Sequence, residues 1–224
     1  MLEAHIIKKR DRFTVDVRLR CPAGDLLVLT GPSGSGKTTV IRALAGLEPP
    51  DAGYIRFRER YWFKATDRLL LKARQRRVGY VFQEHTLFPH LTVEKNVAYG
   101  CRDPQRVAEL LAMLRIRHLA ASRPHEISGG ERQRAALAQA LATRPEVLLL
   151  DEPFSALDNQ TRHRLRMELK RLQERLQLAV IMVTHDPDEA RQLADHHIIL
   201  RRGAATEPDL KKGRLSMLPG SLPA

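Results

Sequence analysis

The order of apolar and polar residues divides the chain into short alternating strands and helices. Phe13, Val15, Val17 and Leu19 alternate with Thr14, Asp16, Arg18 and Arg20, the period-two pattern of a half-buried strand. Leu26–Thr30 is a continuous apolar run, which predicts a strand covered on both faces. After a Gly-rich turn, Val40, Ile41, Leu44 and Leu47 predict a helix that stops at Gly46 and Pro49-Pro50. Tyr54–Phe57 predicts a short strand, followed by a basic segment ending in Arg74, Arg76 and Arg77. Val78–Phe82 predicts another strand, and two helices are expected around Val93–Tyr99 and Gln105–Leu114. A third helix starts at Ser128, carries Ala135, Leu137, Ala138, Ala140 and Leu141, and breaks before Pro145.

Val147–Leu150 then reads as a buried strand, and Leu165, Leu169, Leu172 and Leu176 form one apolar stripe on a helix. Ala179–Val183 and His197–Leu200 read as strands flanking a short helix over Pro187–Ala194. His196-His197 fits a strand edge rather than a metal pair. From Gly203 onward, Gly and Pro recur and predict a linker-like tail. There is no internal repeat. Strands alternating with helices predict an α/β protein with a mostly parallel sheet.

Composition narrows the class without naming a chemistry. A chain of 224 residues is long enough to bury a substantial core, and 43% hydrophobic with 29% charged residues argues against wholesale disorder. The longest apolar runs fall far short of the ~20 residues of a membrane-spanning helix, and no secretory signal is visible at the N-terminus. Cys21 and Cys101 alone cannot form a metal site and suggest a reduced interior. The net charge of +12 leaves nucleic acid, an anionic membrane surface or phosphorylated ligands as partners.

The chemistry begins at Gly31-Pro32-Ser33-Gly34-Ser35-Gly36-Lys37-Thr38-Thr39, a phosphate-binding loop between a predicted strand and a predicted helix. Glycines let backbone N–H groups converge on phosphate oxygens, and the helix start adds the positive end of its dipole. Lys37 supplies charge to the β- and γ-phosphates, and the Thr38 hydroxyl can ligate Mg²⁺. A chance Gly/Ser turn competes poorly, because the full pattern sits in its required strand–turn–helix context. Asp151-Glu152 closes an apolar strand, where carboxylates face the ligand crevice of an α/β sheet. Asp151 would hold Mg²⁺ through water, and Glu152 would orient or deprotonate the attacking water. Taken alone, that acid pair reads as a helix start; together with the phosphate loop it reads as catalytic. Ser128-Gly129-Gly130-Glu131 is a helix start with a capping box, and its two glycines expose N–H groups suited to a second phosphate.

In these residues the sequence resembles the ATP-binding subunits of ABC transporters, over roughly residues 1–205. The phosphate loop is Gly31–Thr39, the Q-loop glutamine Gln83, the signature Ser128–Glu131, and the Walker B strand ends at Asp151-Glu152. The D-loop is Ser155-Ala156-Leu157-Asp158 and the switch histidine His185. The resemblance implies a P-loop NTPase core with a mixed, largely parallel sheet, an N-terminal antiparallel β-subdomain, and a helical subdomain over about 84–142. It implies ATP and Mg²⁺ as cofactors, with Gln83 sensing Mg²⁺ and the γ-phosphate and His185 steadying the γ-phosphate. It also implies a homodimer in which each ATP lies between one chain's phosphate loop and the partner's signature. Hydrolysis by Glu152 would release that dimer and move a separate membrane permease, and through it a substrate-binding protein. The protein would then sit peripherally on the cytoplasmic face of the bacterial inner membrane. Leu87, Phe88 and Leu91 are candidates for docking on the permease, with burial in the helical subdomain as the equal alternative.

Within the family, Arg76–Gln83 and Leu87–Val93 resemble importer ATPases, molybdate or tungstate first, with sulfate, iron and polyamine importers as alternatives. Ile127 and Glu131 stand where Leu and Gln are commoner, and Gln139 where Arg is usual. Phe13 is the nearest aromatic for stacking on adenine, although its alternation favours burial. The stretch 206–224 is linker-like and no C-terminal regulatory β-domain is expected. A nucleic-acid ATPase of the same superfamily is the alternative of a different class. No heptad run separates Lys37 from Ser128 and aromatics make up only 5%, so no nucleic-acid partner is expected. Basic residues at Arg56–Arg77 and Arg162–Arg175 read as solvated faces, suited to an anionic leaflet.

Overall fold

The computed structural model describes residues 1–83 and 87–206. β1 (Leu2–Lys9) and β2 (Thr14–Cys21) form an antiparallel hairpin, and β3 (Leu26–Thr30) leads through the Gly-rich loop into α1 (Lys37–Ala45). β4 (Ala52–Phe57), β5 (Arg60–Lys64) and β6 (Leu69–Leu70) continue the antiparallel part. After β7 (Val78–Val81) come α2 (Val93–Ala98), α3 (Pro104–Met113) and α4 (Gly129–Ala142). The chain then runs through β8 (Val147–Asp151), α5 (Asn159–Leu176), β9 (Ala179–Thr184), α6 (Pro187–Leu193), β10 (His196–Arg201) and β11 (Ala204–Thr206). One mixed sheet of eleven strands results, in the order β6-β5-β4-β1-β2-β11-β10-β3-β9-β8-β7.

The apolar runs fold as their patterns demand. β3, β8 and β9 are buried at every position, and their residues divide between two cores according to the pleat. Leu26, Val28, Leu148, Leu150, Val180 and Met182 face the helical side with α2 to α6. Leu27, Leu29, Leu149, Ile181 and Val183 face α1 and the antiparallel strands. β2 alternates strictly, with Val15, Val17, Leu19 and Cys21 inside. α1 therefore lies between the parallel strands β8 and β9 and the antiparallel strands β1 and β2. Gly46 ends it in the left-handed conformation at φ 77°, its N–H donating to Ala43 and Arg42, as its place in the sequence predicts.

Four expectations are corrected. The basic segment after Phe57 contains β5 and β6, because Trp62 and Phe63 bury into the core around charged strand ends. Arg76 is 1% exposed rather than solvated: its guanidinium donates to the carbonyls of Leu71 (3.0 Å), Ala43 (2.7 Å) and Leu44 (3.0 Å). His196 and His197 lie on β10, an inner strand, where His197 Nε2 meets Thr30 Oγ1 at 2.7 Å and His196 meets Asp25 at 2.8 Å. The chain after Gly203 is not linker from the start. Residues 204–206 pair with β10 and touch β2, joining the two halves of the sheet. Residues 207–224 lie outside the described residues.

Candidate functional site

Parallel strands deliver the site's residues to one edge of the sheet. In register, Val81 lies opposite Leu150, Asp151 opposite Val183, and Thr184 opposite Thr30. Gly31, Gln83, Glu152 and His185 therefore all follow their strands at the same C-terminal edge, where open α/β sheets bind ligands.

Gly31–Gly36 wraps from β3 to α1. Gly36 is the N-cap at φ 106°, and a Cβ there would stand 2.8 Å from Val15 Cγ2. Any side chain would meet both backbone strain and β2. With no side-chain cap, the first N–H groups of α1 remain available to an anion. Lys37 is buried at 6% exposure, and its Nζ donates to the carbonyls of Gly31 (2.8 Å) and Pro32 (3.1 Å). Burial lowers its pKa, while Glu152 and Asp151 act in the opposite direction. Thr38 is exposed, whereas Thr39 is buried and its hydroxyl accepts from Arg10 at 2.8 Å. An open cleft of about 430 Å³ lies beside the loop, lined by Gly34, Gly36, Lys37 and Thr38 on one wall and by the 9–13 segment on the other. Pro32 and Ser33 are exposed at the loop's tip, and Ser35 is buried.

Asp151, at the end of β8, is 5% exposed. One carboxylate oxygen accepts from the Tyr80 hydroxyl at 3.1 Å; the other has no partner. Burial raises its pKa. Glu152 holds a left-handed backbone, φ 46°, secured by its N–H donating to the Val183 carbonyl at 2.9 Å. For a residue with a side chain this conformation costs of order 1–3 kcal/mol and is typical of functional positions. It aims the carboxylate at His185, whose Nδ1 lies 2.7 Å from Glu152 Oε2.

The buried, partnerless Ser35 hydroxyl and Asp151 oxygen, with a lysine tied only to carbonyls, fit a bound nucleotide phosphate and a hard cation. Thr38, Gln83 and Asp151 offer the oxygen donors Mg²⁺ prefers. Among the described residues no cluster of three or more His, Cys, Asp or Glu could hold a metal by itself.

The other predicted residues lie in three places. Ser128 caps α4: its backbone N–H donates to the Glu131 carboxylate at 2.8 Å, and its hydroxyl bonds the same carboxylate at 2.7 Å. These bonds pull the Glu131 pKa down, so the side chain serves the cap. Gly129 and Gly130 follow, and a Cβ on Gly130 would stand 2.5 Å from a Thr161 methyl of α5. No residue of Ser128–Glu131 lines the cleft. In the D-loop segment, Ser155 Oγ donates to the Glu152 carbonyl at 3.1 Å, Ala156 is exposed, Leu157 is buried, and Asp158 caps α5 by accepting from Thr161 N–H. Gln83 is exposed beyond β7, and residues 84–86 lie outside the described residues. Leu87, a docking candidate, is 7% exposed inside the helical core instead; Phe88 and Leu91 are half-buried, and Phe88 packs on the exposed ring of Tyr99. Phe13 is half-buried between core and cleft wall, so its strand alternation ends one residue short of full burial. Sequence reasoning missed Arg10 and Tyr80. Tyr80 carries the one polar tip in the Val78–Val81 run, the signal that would have pointed to a partner.

A phosphate loop leading from an inner parallel strand into a helix, with an acidic residue ending a nearby strand, defines a P-loop nucleoside-triphosphate-binding protein. The model of the ABC transporter family matches residues 14–155, and the chain belongs to that family. It is 44% identical over 223 residues to the sulfate/thiosulfate import ATP-binding protein CysA of Salmonella typhi, covering 93% of this chain and 60% of that protein. It is 45% identical over 195 residues to a probable protein of the same description in Chlorella vulgaris, covering 84% of this chain and 80% of the relative. The dimeric post-hydrolysis structure of the ATP-binding cassette MJ0796, bound to ADP and Pi, superposes with a TM-score of 0.75 at 29% identity. It covers 92% of this chain and 98% of that one. The chain thus spans about 60% of the length of CysA. ATP binding and the mixed sheet with a helical insertion follow from family and fold. The molybdate preference read in Arg76–Gln83 and Leu87–Val93 finds no support among these relatives.

Proposed function

We propose that the chain is the ATP-hydrolysing subunit of an importer, with residues 1–205 as its nucleotide-binding domain. The observation that carries this reading is the Glu152–His185 pair, 2.7 Å apart, at the strand edge that also bears the phosphate loop. Lys37 and the loop N–H groups would bind the β- and γ-phosphates, and Thr38 and Gln83, with Asp151 through water, would hold Mg²⁺. Glu152 orients the attacking water while His185 contacts the γ-phosphate. Ser128–Glu131 lies away from this chain's own cleft, which supports a homodimer whose signature completes the partner's site. The cargo is an oxyanion of the sulfate/thiosulfate class, on the strength of 44% identity to an importer so named. Work is delivered to a membrane permease and its substrate-binding protein, with this subunit peripheral on the cytoplasmic face. Among the described residues no helix is long and apolar enough to cross a membrane.

The test is reconstitution with its own permease and binding protein in liposomes. Sulfate or thiosulfate should stimulate ATP hydrolysis, with molybdate inert. Stimulation by molybdate alone would reverse the cargo assignment, and failure to assemble with any permease would overturn the transport reading.

A further inference from the structure

α5 begins at the D-loop segment and carries its apolar stripe into the core through Leu165, Leu169 and Leu172. Beside that stripe sits Arg166, whose side chain is only 9% exposed. Its Nη2 lies 2.9 Å from Asp186 Oδ2 and 2.9 Å from Glu189 Oε1, and its Nη1 lies 3.3 Å from Gln192 Oε1. One turn earlier, Arg162 donates to the Leu157 carbonyl at 3.1 Å and stands 3.8 Å from the same Asp186 oxygen. Glu189 is 3% exposed, so two arginines and two carboxylates meet where α5 packs on α6. Asp186 follows His185 directly. It caps α6 through Asp188 N–H at 2.8 Å, and its own N–H donates to Thr184 Oγ1 at 3.1 Å.

We propose that Arg166, assisted by Arg162, is a positioning residue for hydrolysis: it fixes Asp186, and with it His185, to the helix that starts at the D-loop. The proposal rests on the hydrolytic reading above. Two observations favour it over a purely structural role. A buried ion pair stabilises poorly compared with apolar packing, and the neighbouring positions of α5 show that leucine is accommodated in this interface. The His185 side chain is 57% exposed, so packing does not orient it; the backbone anchored by Asp186 and the bond to Glu152 do. Arg162 reaches from the Leu157 carbonyl to the Asp186 carboxylate, Arg166 holds that same carboxylate from α5, and Asp186 adjoins His185, which meets Glu152. A shift of the D-loop segment is thereby transmitted to the histidine beside the catalytic carboxylate.

The experiment compares wild type, R166M, R166K, H185A and R166M/H185A for ATPase kcat and KM, ATP Kd, single-turnover phosphate release and melting temperature. R166M should stay folded and hold ATP within about twofold of wild-type Kd while kcat falls about tenfold, because the loss is one of alignment rather than binding. R166K, with a single ammonium for two carboxylates, should lie between. In the H185A background R166M should change phosphate release by less than about twofold, since it acts through the missing histidine. A folded R166M with kcat near wild type overturns the proposal, as does an undiminished tenfold loss in the H185A background. Should R166M not fold, R166K in both backgrounds decides by the same criteria. Wild type that binds ATP without hydrolysing it would instead defeat the hydrolytic reading itself.

Discussion

Replacing Arg76 with Met should loosen the helix that carries the phosphate loop. The guanidinium crosses from the end of β6 to the C-terminus of α1, donating to Leu71, Ala43 and Leu44 and lying 5.8 Å from the Trp62 ring. Burial lowers its pKa to about 10, so the group remains charged near neutrality and the bonds are charge-assisted. Met fills much of the volume but donates nothing. Ala43 keeps a second donor in Gly46 N–H at 3.1 Å, so the loss falls on the Leu44 and Leu71 carbonyls. Each buried acceptor left without a donor costs about 1–3 kcal/mol, giving a destabilisation of about 2–6 kcal/mol. For a chain of this size that is a fall in melting temperature of about 4–24 °C. Urea denaturation followed by circular dichroism gives the free energy, and a thermal scan gives the shift. A change below about 2 °C would refute the assignment and return Arg76 to the solvated basic face that its sequence neighbourhood suggests.

Two further outcomes follow from the site. Phe13→Ala should leave the fold intact, because the ring is only half-buried, yet raise the ATP Kd about three- to tenfold if it covers the base; unfolding would show a core role instead. Asp151→Asn should stabilise the nucleotide-free protein by about 1 kcal/mol near pH 7 while removing Mg²⁺-dependent ATP binding. The sign follows from a folded pKa raised by burial: the ionised carboxylate costs stability above that pKa, and the cost fades as pH falls through it. The advantage of the Asn variant in urea should therefore shrink toward acid pH, and an advantage constant with pH would contradict the cause given.

Much of this was legible because burial on both faces of a parallel sheet leaves an unmistakable trace. Leu26–Leu29, Val147–Leu150 and Ala179–Val183 are apolar throughout, and the phosphate loop and acid pair follow close on their ends. What escaped had no room to show a period. β6 has two residues and β11 three, and β5 hides Trp62 and Phe63 between Arg60 and Lys64. The basic residues misled for a related reason. Arg76 and Arg166 are buried by partners 32 and 20 residues away, which no local pattern encodes. Glu131 illustrates the converse: the capping box read from sequence is the one that forms. Cargo was least legible, since on the reading proposed above it is selected by the permease and binding protein rather than by this chain.

The assignment of Glu152 as the group that activates water is tested by Glu152→Gln. The isosteric amide keeps the shape of the site, the left-handed turn and contact with His185, but cannot act as a base. With Mg²⁺ and ATP, the purified variant should bind ATP at near wild-type Kd, accumulate as an ATP-bound dimer, and release phosphate at least about a hundredfold more slowly. Phosphate release at the wild-type rate would contradict the account.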